Sequence, residues 1–491
     1  MNKPIRLLTC TLAMLVAFFL AGPSRGFAQN SGKGKPQEVG TWAPLVNPAP
    51  ETLGTCLLLS DGTVMCNGLL NNTWYRLTPD TTGSYVNGTW TQLASSFDSR
   101  LYFVTYVLRD GRVFVAGGEY GTGGDKAEVY QPIDNTWTRL PDPGITISDG
   151  AAEVLPNGNV LVNPVYAGLG TLIFDIVANT WLSGPNLLGN NNESTWVKLP
   201  DTSILTIDIN STNSERYIPS LNQWIPDSPL PEIIWTVSAG EIGAGFLLPN
   251  RKAFFLGGNG RTAIYTPSGN TSPGTWTVGA VIPDNHGAND APAAMMANGR
   301  ILCAFGSTVD IFASPTFFYE YDYVTNTFTP VSSPTGGPSY DMPPFIETML
   351  DLPDGSVLFR GATNQAYVYT PAGKQLEGLA KTVIQTVTQN LDGSYHVTGT
   401  RFNGVSAGAG YGDDVQMNTN FPIARLTDQD GNVYYARTYN WSSTGLQTGN
   451  NKVSTEMTLP AGLPAGKYKL FIIANGISSK GGHPIQYQPS H

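Results

Sequence analysis

The sequence predicts an all-β protein, a β-propeller of seven blades followed by a C-terminal β-sandwich. Three observations predict it. Seven times, an apolar stretch runs into a tight turn of the Ser-Asp-Gly or Pro-Asn-Gly type and out into a second apolar stretch. Several copies are followed by a short aromatic strand and then a Trp or Phe behind an Asn-Thr type of turn. Gly 55 and Pro 36, against 13% charged residues, suit short strands and tight turns, and long amphipathic helical patterns are absent. A period of roughly 40–50 residues with four short strands per unit is the mark of a propeller blade.

The seven copies run Leu57 to Val64, Tyr106 to Val113, Val154 to Val160, Val197 to Leu205, Phe246 to Phe254, Met295 to Ile301 and Met349 to Val357. The outer aromatic signals are Trp137, Trp181, Trp224, Trp276 and Phe328. The first unit carries two, Trp74 and Trp90, so an insertion is expected there. The seventh ends at Tyr367 to Pro371 without a Trp-bearing outer strand. The segment Gly40-Thr41-Trp42-Ala43-Pro44-Leu45 offers that strand, which would tie the chain ends together and remove an exposed sheet edge. Period-2 strands such as Lys467 to Ile473 predict the sandwich.

At 491 residues the chain fits a propeller plus one further domain. Lys3 and Arg6, the apolar run Leu7 to Gly22 and the small-residue site Gly26-Phe27-Ala28 read as a cleavable signal. The expected layout is signal peptide 1–28, linker 29–39, propeller 40–378, sandwich 379–481 and tail 482–491. No later run is long enough to span a bilayer, so a secreted or periplasmic protein without membrane insertion is expected. A net charge of −10 with no basic run argues against nucleic acid as a partner. A monomer is expected.

Cys56 and Cys66 flank the turn Ser60-Asp61-Gly62-Thr63 and face each other across one hairpin. A disulfide and a pair of buried thiols are both open. Cys303, inside Ile301-Leu302-Cys303-Ala304, reads as a small buried hydrophobe.

The second unit reads Asp110-Gly111-Arg112-Val113-Phe114-Val115-Ala116-Gly117-Gly118, then Glu128-Val129-Tyr130, then Asn135-Thr136-Trp137. Towards the C-terminus stand Thr398 to Phe402, Tyr411-Gly412-Asp413-Asp414, Asn420 to Leu426 and Leu459 to Gly466. On these motifs the chain, from about residue 40 to 480, resembles the galactose oxidase and glyoxal oxidase-like kelch proteins. The resemblance implies a kelch-type propeller, an Ig-like (early-set) sandwich, and an interface role for Tyr411 to Asp414. That family holds copper with two tyrosines and two histidines, one tyrosine crosslinked to a cysteine. Counting back from each Asp-Gly turn puts Asp149 at the crosslinked tyrosine, Val104 at its cysteine and Phe345-Ile346 at the Tyr-His pair. The last histidine falls near Asn440-Trp441-Ser442. None of these is a copper ligand of the family, so copper is not expected.

Residues leading into each innermost strand of a propeller converge around the axis at one face. Asp149, Glu193 and Asp290 each lie eight residues before the turn residues Asn157, Asp201 and Asn298. Glu241 lies nine before Asn250, Glu51 ten before Asp61 and Asp98 twelve before Asp110. Asp341 stands just upstream of the seventh inner strand and Glu347 within it. Arg100 is the strong base among them, and His286 lies in the loop that carries Asp290.

Such carboxylates repel one another and raise pKa values unless compensated. Three uses follow. The ring can bind calcium, the one cofactor it would suit. It can accept hydrogen bonds from sugar hydroxyls, with Tyr340 or Trp196 as stacking surfaces. A pair can act as general acid and base on a glycosidic bond, with Arg100 on an anionic group. A structural use fits the same residues, the acids accepting loop N–H groups and Arg100 pairing with Asp98. The function expected is recognition of an extracellular or cell-wall glycan, or of a protein. The rival is a carbohydrate-active enzyme, non-redox or a divergent copper oxidase.

Overall fold

Short apolar stretches separated by Asp-Gly turns pair most readily with their immediate neighbours, and each repeat forms an antiparallel meander. In a computed structural model that describes residues 37–489, apart from 192–193 and 412–414, nearly all regular structure is β. The predicted signal segment and Glu193 lie outside the described residues. Only four short 3-10 turns, each of three residues, interrupt the strands among the described residues.

Repeat 2 shows the plan: Val104–Val107, Val113–Ala116, Ala127–Gln131 and Thr136–Arg139 form one four-stranded sheet in sequence order. Repeats 1, 3, 4 and 5 do the same, beginning with inner strands Leu53–Leu58, Ala152–Val154, Val197–Lys198 and Ile242–Leu247. Repeat 7 takes its inner three strands from Thr348–Asp351, Val357–Arg360 and Ala366–Thr370, and its outer strand from Thr41–Pro44. The register sets Trp42 opposite Tyr369, as the N-terminal closing strand requires. In repeat 1, Trp74 and Trp90 sit on the third and fourth strands, and the predicted insertion is the loop between them.

The outer-strand tryptophans explain why the repeats stack side by side. Trp137 donates its indole N–H to the Ala94 carbonyl at 2.9 Å, Trp181 to Pro141 at 2.7 Å and Trp42 to Ser332 at 2.7 Å. Each bond reaches back to the preceding repeat, so at these three seams the indole brings a large apolar surface and a satisfied donor. The paired glycines act at the same seams. A Cβ on Gly117 would lie 1.8 Å from the Ile147 carbonyl oxygen, inside the loop that leads into repeat 3.

Two departures from the expected layout share one cause, cross-pairing by the C-terminal region. The inner strand of repeat 6, Ala293–Met295, pairs on its free edge with Gly408–Tyr411, which continues into Val415–Asn418. Repeat 6 therefore belongs to a seven-stranded sheet, beside six separate four-stranded ones. Gly410 and Ala409 oppose Ala293 and Ala294, small residues that let a hairpin sit among the converging inner strands. The remaining C-terminal strands, Val383–Gln389 and Tyr395–Thr400 before the hairpin and six after it, form one curled eight-stranded sheet; its strand His483–Tyr487 pairs with Gly466–Ala474, so residues expected to be a tail belong to the sheet. Strand Val433–Tyr439 pairs with Ile423–Thr427 through its first half and with Lys452–Thr458 through its second. Its two halves enclose a core of Val397, Leu426, Met457, Leu470 and Ile472. Asp428 to Asn432 is the turn between two of these strands, the Asp428 carboxylate accepting the Asp430 and Asn432 N–H groups.

Cys56 and Cys66 lie opposite each other in the first hairpin and are joined as a disulfide. Cys303 is a buried free thiol. No helix among the described residues is long and apolar enough to cross a membrane.

Candidate functional site

The two ends of the inner strands meet different surroundings. At their far ends, the turns of all seven repeats touch the C-terminal region. Thr438 donates its backbone N–H to Ser60 and Trp441 to Arg109, the Gln447 amide donates to the Leu248 carbonyl, and Ala297 packs with Val405 and Ile477. Thr444 accepts from Lys198 through its carbonyl and donates to Leu155 through its hydroxyl, and Thr419 donates to Asp351. These turns need a left-handed residue, and Gly62, Gly111, Gly158, Gly299 and Gly355 supply it. Repeats 4 and 5 use Thr202 (φ 69°) and Arg251 (φ 70°) instead.

The near ends, where the chain leads into the inner strands, form the opposite face. Tyr102 (φ 46°), Asp149 (φ 43°) and Asp290 (φ 46°) stand two or three residues before their strands in left-handed backbone. A non-glycine residue there is uncommon, and such positions gather at functional sites. Asp149 is buried and Asp290 half-buried. Glu241 and Glu347 are fully buried. Burial pushes the Glu347 carboxyl well above the usual range, with Thr316 and Arg360 beside it offsetting only part.

Other predicted residues lie elsewhere or are engaged. The Glu51 carboxylate accepts from Asn71 at 2.8 Å and from Thr73. Asp98 points outward to Arg139, 2.7 Å away. Arg100 does not face the mouth; its guanidinium is 1% exposed and donates to Glu128 at 2.7 Å, with Asp98 at 3.7 Å. Asp341 is exposed. Tyr340 and Trp196 cannot serve as stacking surfaces, because Tyr340 packs beneath Gly361 against Phe359 and Trp196 against Trp224. His286 stacks on Phe317 at 4.0 Å and shares a hydrogen bond with the Tyr319 hydroxyl at 3.2 Å. Burial pushes its imidazole below the ordinary value, while Asp284 pulls it back up.

The structure adds an aromatic pair that sequence reasoning missed. Tyr120, 64% exposed, stands edge-on to Tyr102 at 6.3 Å. Its loop is fixed to the approach of the second inner strand, Glu119 donating its N–H to the Leu101 carbonyl at 2.8 Å. The signal available was the glycine-rich run Gly117 to Gly124 interrupted by Tyr120.

Asn440 to Ser442, which the resemblance assigned to the last histidine, lie on the turn side, where Trp441 bonds to Arg109. The C-terminal hairpin 408–418 pairs with the sixth inner strand. Its tip, 412–414, lies outside the described residues. A cleft of about 530 Å³ lies between repeats 3 and 4, lined by Leu155, Ile173, Leu182, Tyr217 and Asn222 among others, and no predicted mouth residue lines it. No group of three or more His, Cys, Asp or Glu suited to a metal ion occurs among the described residues.

Comparison with known proteins agrees with this architecture. Residues 100–144 match the Kelch motif. An F-box/kelch-repeat protein of Arabidopsis thaliana is 24% identical over 202 residues, 34% of this chain; the match spans only 40% of that relative's length. Among solved structures, a fungal alcohol oxidase of the AA5 family in complex with copper is 15% identical, with a TM-score of 0.53 over 91% of this chain and 99% of its own. A streptogramin B lyase is similar more loosely, 13% identical, with a TM-score of 0.47 over 68% of this chain and 98% of its own. The fold is thus that of a galactose oxidase-like kelch propeller, which fixes an architecture and leaves the chemistry to the site.

Proposed function

We propose that this protein is an exported seven-bladed kelch propeller, 40–378, with an Ig-like sandwich that begins at 379 and includes the strand His483–Tyr487, and that it binds extracellular or cell-wall glycan at the open face. On this reading the four strands of repeat 6 are the remaining blade, and the curled sheet is a sandwich whose layers share a strand. The observation that carries the glycan reading is the exposed Tyr120 held over Tyr102 on the same face as Asp149 and Asp290. An aromatic ring offers a surface for a sugar's C–H face.

The residues do not fit copper. His396 and His483 lie in the C-terminal sheet, His491 lies outside the described residues, and His286 is stacked on Phe317. Cys56 and Cys66 are bonded to each other, and Cys303 is buried in the second strand of repeat 6. Copper draws on imidazole and thiolate donors, and one half-buried histidine does not supply that set. Ligand recognition therefore fits better than radical oxidation.

A glycan-binding screen on the mature protein tests this, followed by calorimetry with Tyr120→Ala. Retention of a glycan by the wild type and its loss in Tyr120→Ala is expected. No retained glycan, or undiminished binding by the variant, would overturn the proposal.

A further inference from the structure

Repeats 2 and 4 carry a glutamate at the same point of the third strand, Glu128 and Glu215, each two residues before a tyrosine. Each carboxylate accepts two backbone N–H groups from the loop leading in from the preceding repeat. Phe97 (2.8 Å) and Asp98 (3.3 Å) donate to Glu128; Leu188 (2.8 Å) and Gly189 (3.2 Å) donate to Glu215. The cradles are built alike. Their occupants differ.

Three residues beyond Phe97 stands Arg100, whose guanidinium donates to Glu128 at 2.7 Å and to the carbonyls of Gly117 at 2.5 Å and Lys126 at 3.0 Å. Three residues beyond Leu188 stands Asn191. Its short amide turns away, donating to the Ile207 carbonyl at 3.0 Å and to the Thr206 hydroxyl. The carbonyls that would correspond to Arg100's acceptors belong to Asp208 and Asn213. These two residues are closed by the same N–H···O bond that joins Gly117 and Lys126, 3.0 Å against 2.8 Å.

Where the guanidinium would lie, repeat 4 has a cavity of about 210 Å³, lined by Leu188, Gly189, Asp208, Asn213, Glu215 and Asp227 among others. Exposed Leu188, Asn213 and Pro226 stand at its rim. Glu215 itself is 3% exposed. Asp227 is already paired with Arg216, and Asp208 accepts from Ser211 and Asn210. These are the charged groups around Glu215 among the described residues, and none of them is a cation that compensates its carboxylate as Arg100 compensates Glu128.

We propose that this cavity binds a guanidinium group from outside the chain, seated against Glu215 and the carbonyls of Asp208 and Asn213 as Arg100 is seated in repeat 2. A planar fork of N–H donors suits one carboxylate and two carbonyls better than a compact ammonium does. Burial pushes the Glu215 carboxyl up to about 7; the Leu188 and Gly189 N–H groups pull it down and Asp208 adds to the rise. A cation therefore binds the ionised form, which prevails above that pH.

Calorimetric titration of the whole protein with free L-arginine and with the blocked peptide acetyl-Gly-Arg-Gly-amide tests this. Saturable binding at pH 8 is expected, weakened at least tenfold by Glu215→Gln and about tenfold at pH 6. Asn191→Arg is expected to fill the cavity from within and abolish binding, while removing the acceptor that the Trp196 indole N–H now uses at 2.7 Å. Binding of peptide alone would assign the guanidinium to a protein partner, and equal binding of free arginine to a small molecule. No saturable binding of either probe, or unchanged binding by Glu215→Gln, would overturn the proposal.

Discussion

The two faces of the propeller are made from the same repeat and differ in almost everything else. On the turn face every repeat presents the same element, an Asp-Gly or similar hairpin, and the C-terminal region touches all seven. On the open face, strands begin after loops of different lengths, through left-handed residues such as Tyr102 and Asp290. Regularity serves a single, fixed internal partner. On the proposed reading, irregularity serves recognition.

The contrast breaks most visibly at Lys198. Its ammonium is 2% exposed, lies 2.8 Å from Glu153 and donates to the carbonyls of Val154 and Thr444, pinning repeat 4 to the C-terminal region. Lys198→Ala leaves Glu153 buried without its cation and is expected to cost ~3–5 kcal/mol in a denaturant titration. A loss no larger than that of an exposed substitution would dissolve the distinction between the faces.

Asp351, at the turn end of the seventh inner strand, sharpens it through pH. Burial pushes its carboxyl up to about 8, the Thr419 hydroxyl offsetting only part. In the unfolded chain the group ionises near ~4. The folded state thus keeps a proton that the unfolded state has lost, and this contribution, full below ~4, disappears as pH rises through about 8. Asp351→Asn should gain on the wild type as pH rises, read as a larger melting-temperature difference at pH 8.5 than at pH 5. Parallel curves would refute the assignment.

Smaller effects are expected at Thr202, where a β-branched residue occupies a left-handed turn position at φ 69°. Thr202→Gly should stabilise by about 1 kcal/mol. The smallest belongs to the open face. Tyr120→Ala should change stability by less than about 0.5 kcal/mol while removing glycan binding. Destabilisation comparable to that of Lys198→Ala would make Tyr120 a structural residue.

The propeller was legible because its cause is local. Seven turns and their flanking apolar runs recur along the chain, and the closing strand Thr41–Pro44 was visible as the missing outer piece of repeat 7. The site was less legible, because burial of a side chain depends on a neighbouring repeat that the spacing does not show. Arg100 and Asp149 both precede an inner strand by a few residues, yet one guanidinium is spent on Glu128 between repeats. Tyr340 and Trp196 were read as stacking surfaces, and neighbouring rings cover both. The hairpin 408–418 left only a weak trace, Ala409-Gly410 opposite Ala293-Ala294, since small residues signal close approach without naming what approaches.

The strand at Thr41–Pro44 also governs the order of events during folding. Its partner Ala366–Thr370 lies at the other end of the ring, and Ala293–Met295 waits for a hairpin more than a hundred residues further on. Neither contact forms until nearly the whole chain is present, so the early repeats exist first as sheets with open edges. Such long-range pairing slows folding and prolongs exposure of those edges to other chains. Refolding of this protein should accordingly be slow and limited by ring closure rather than by formation of any single repeat.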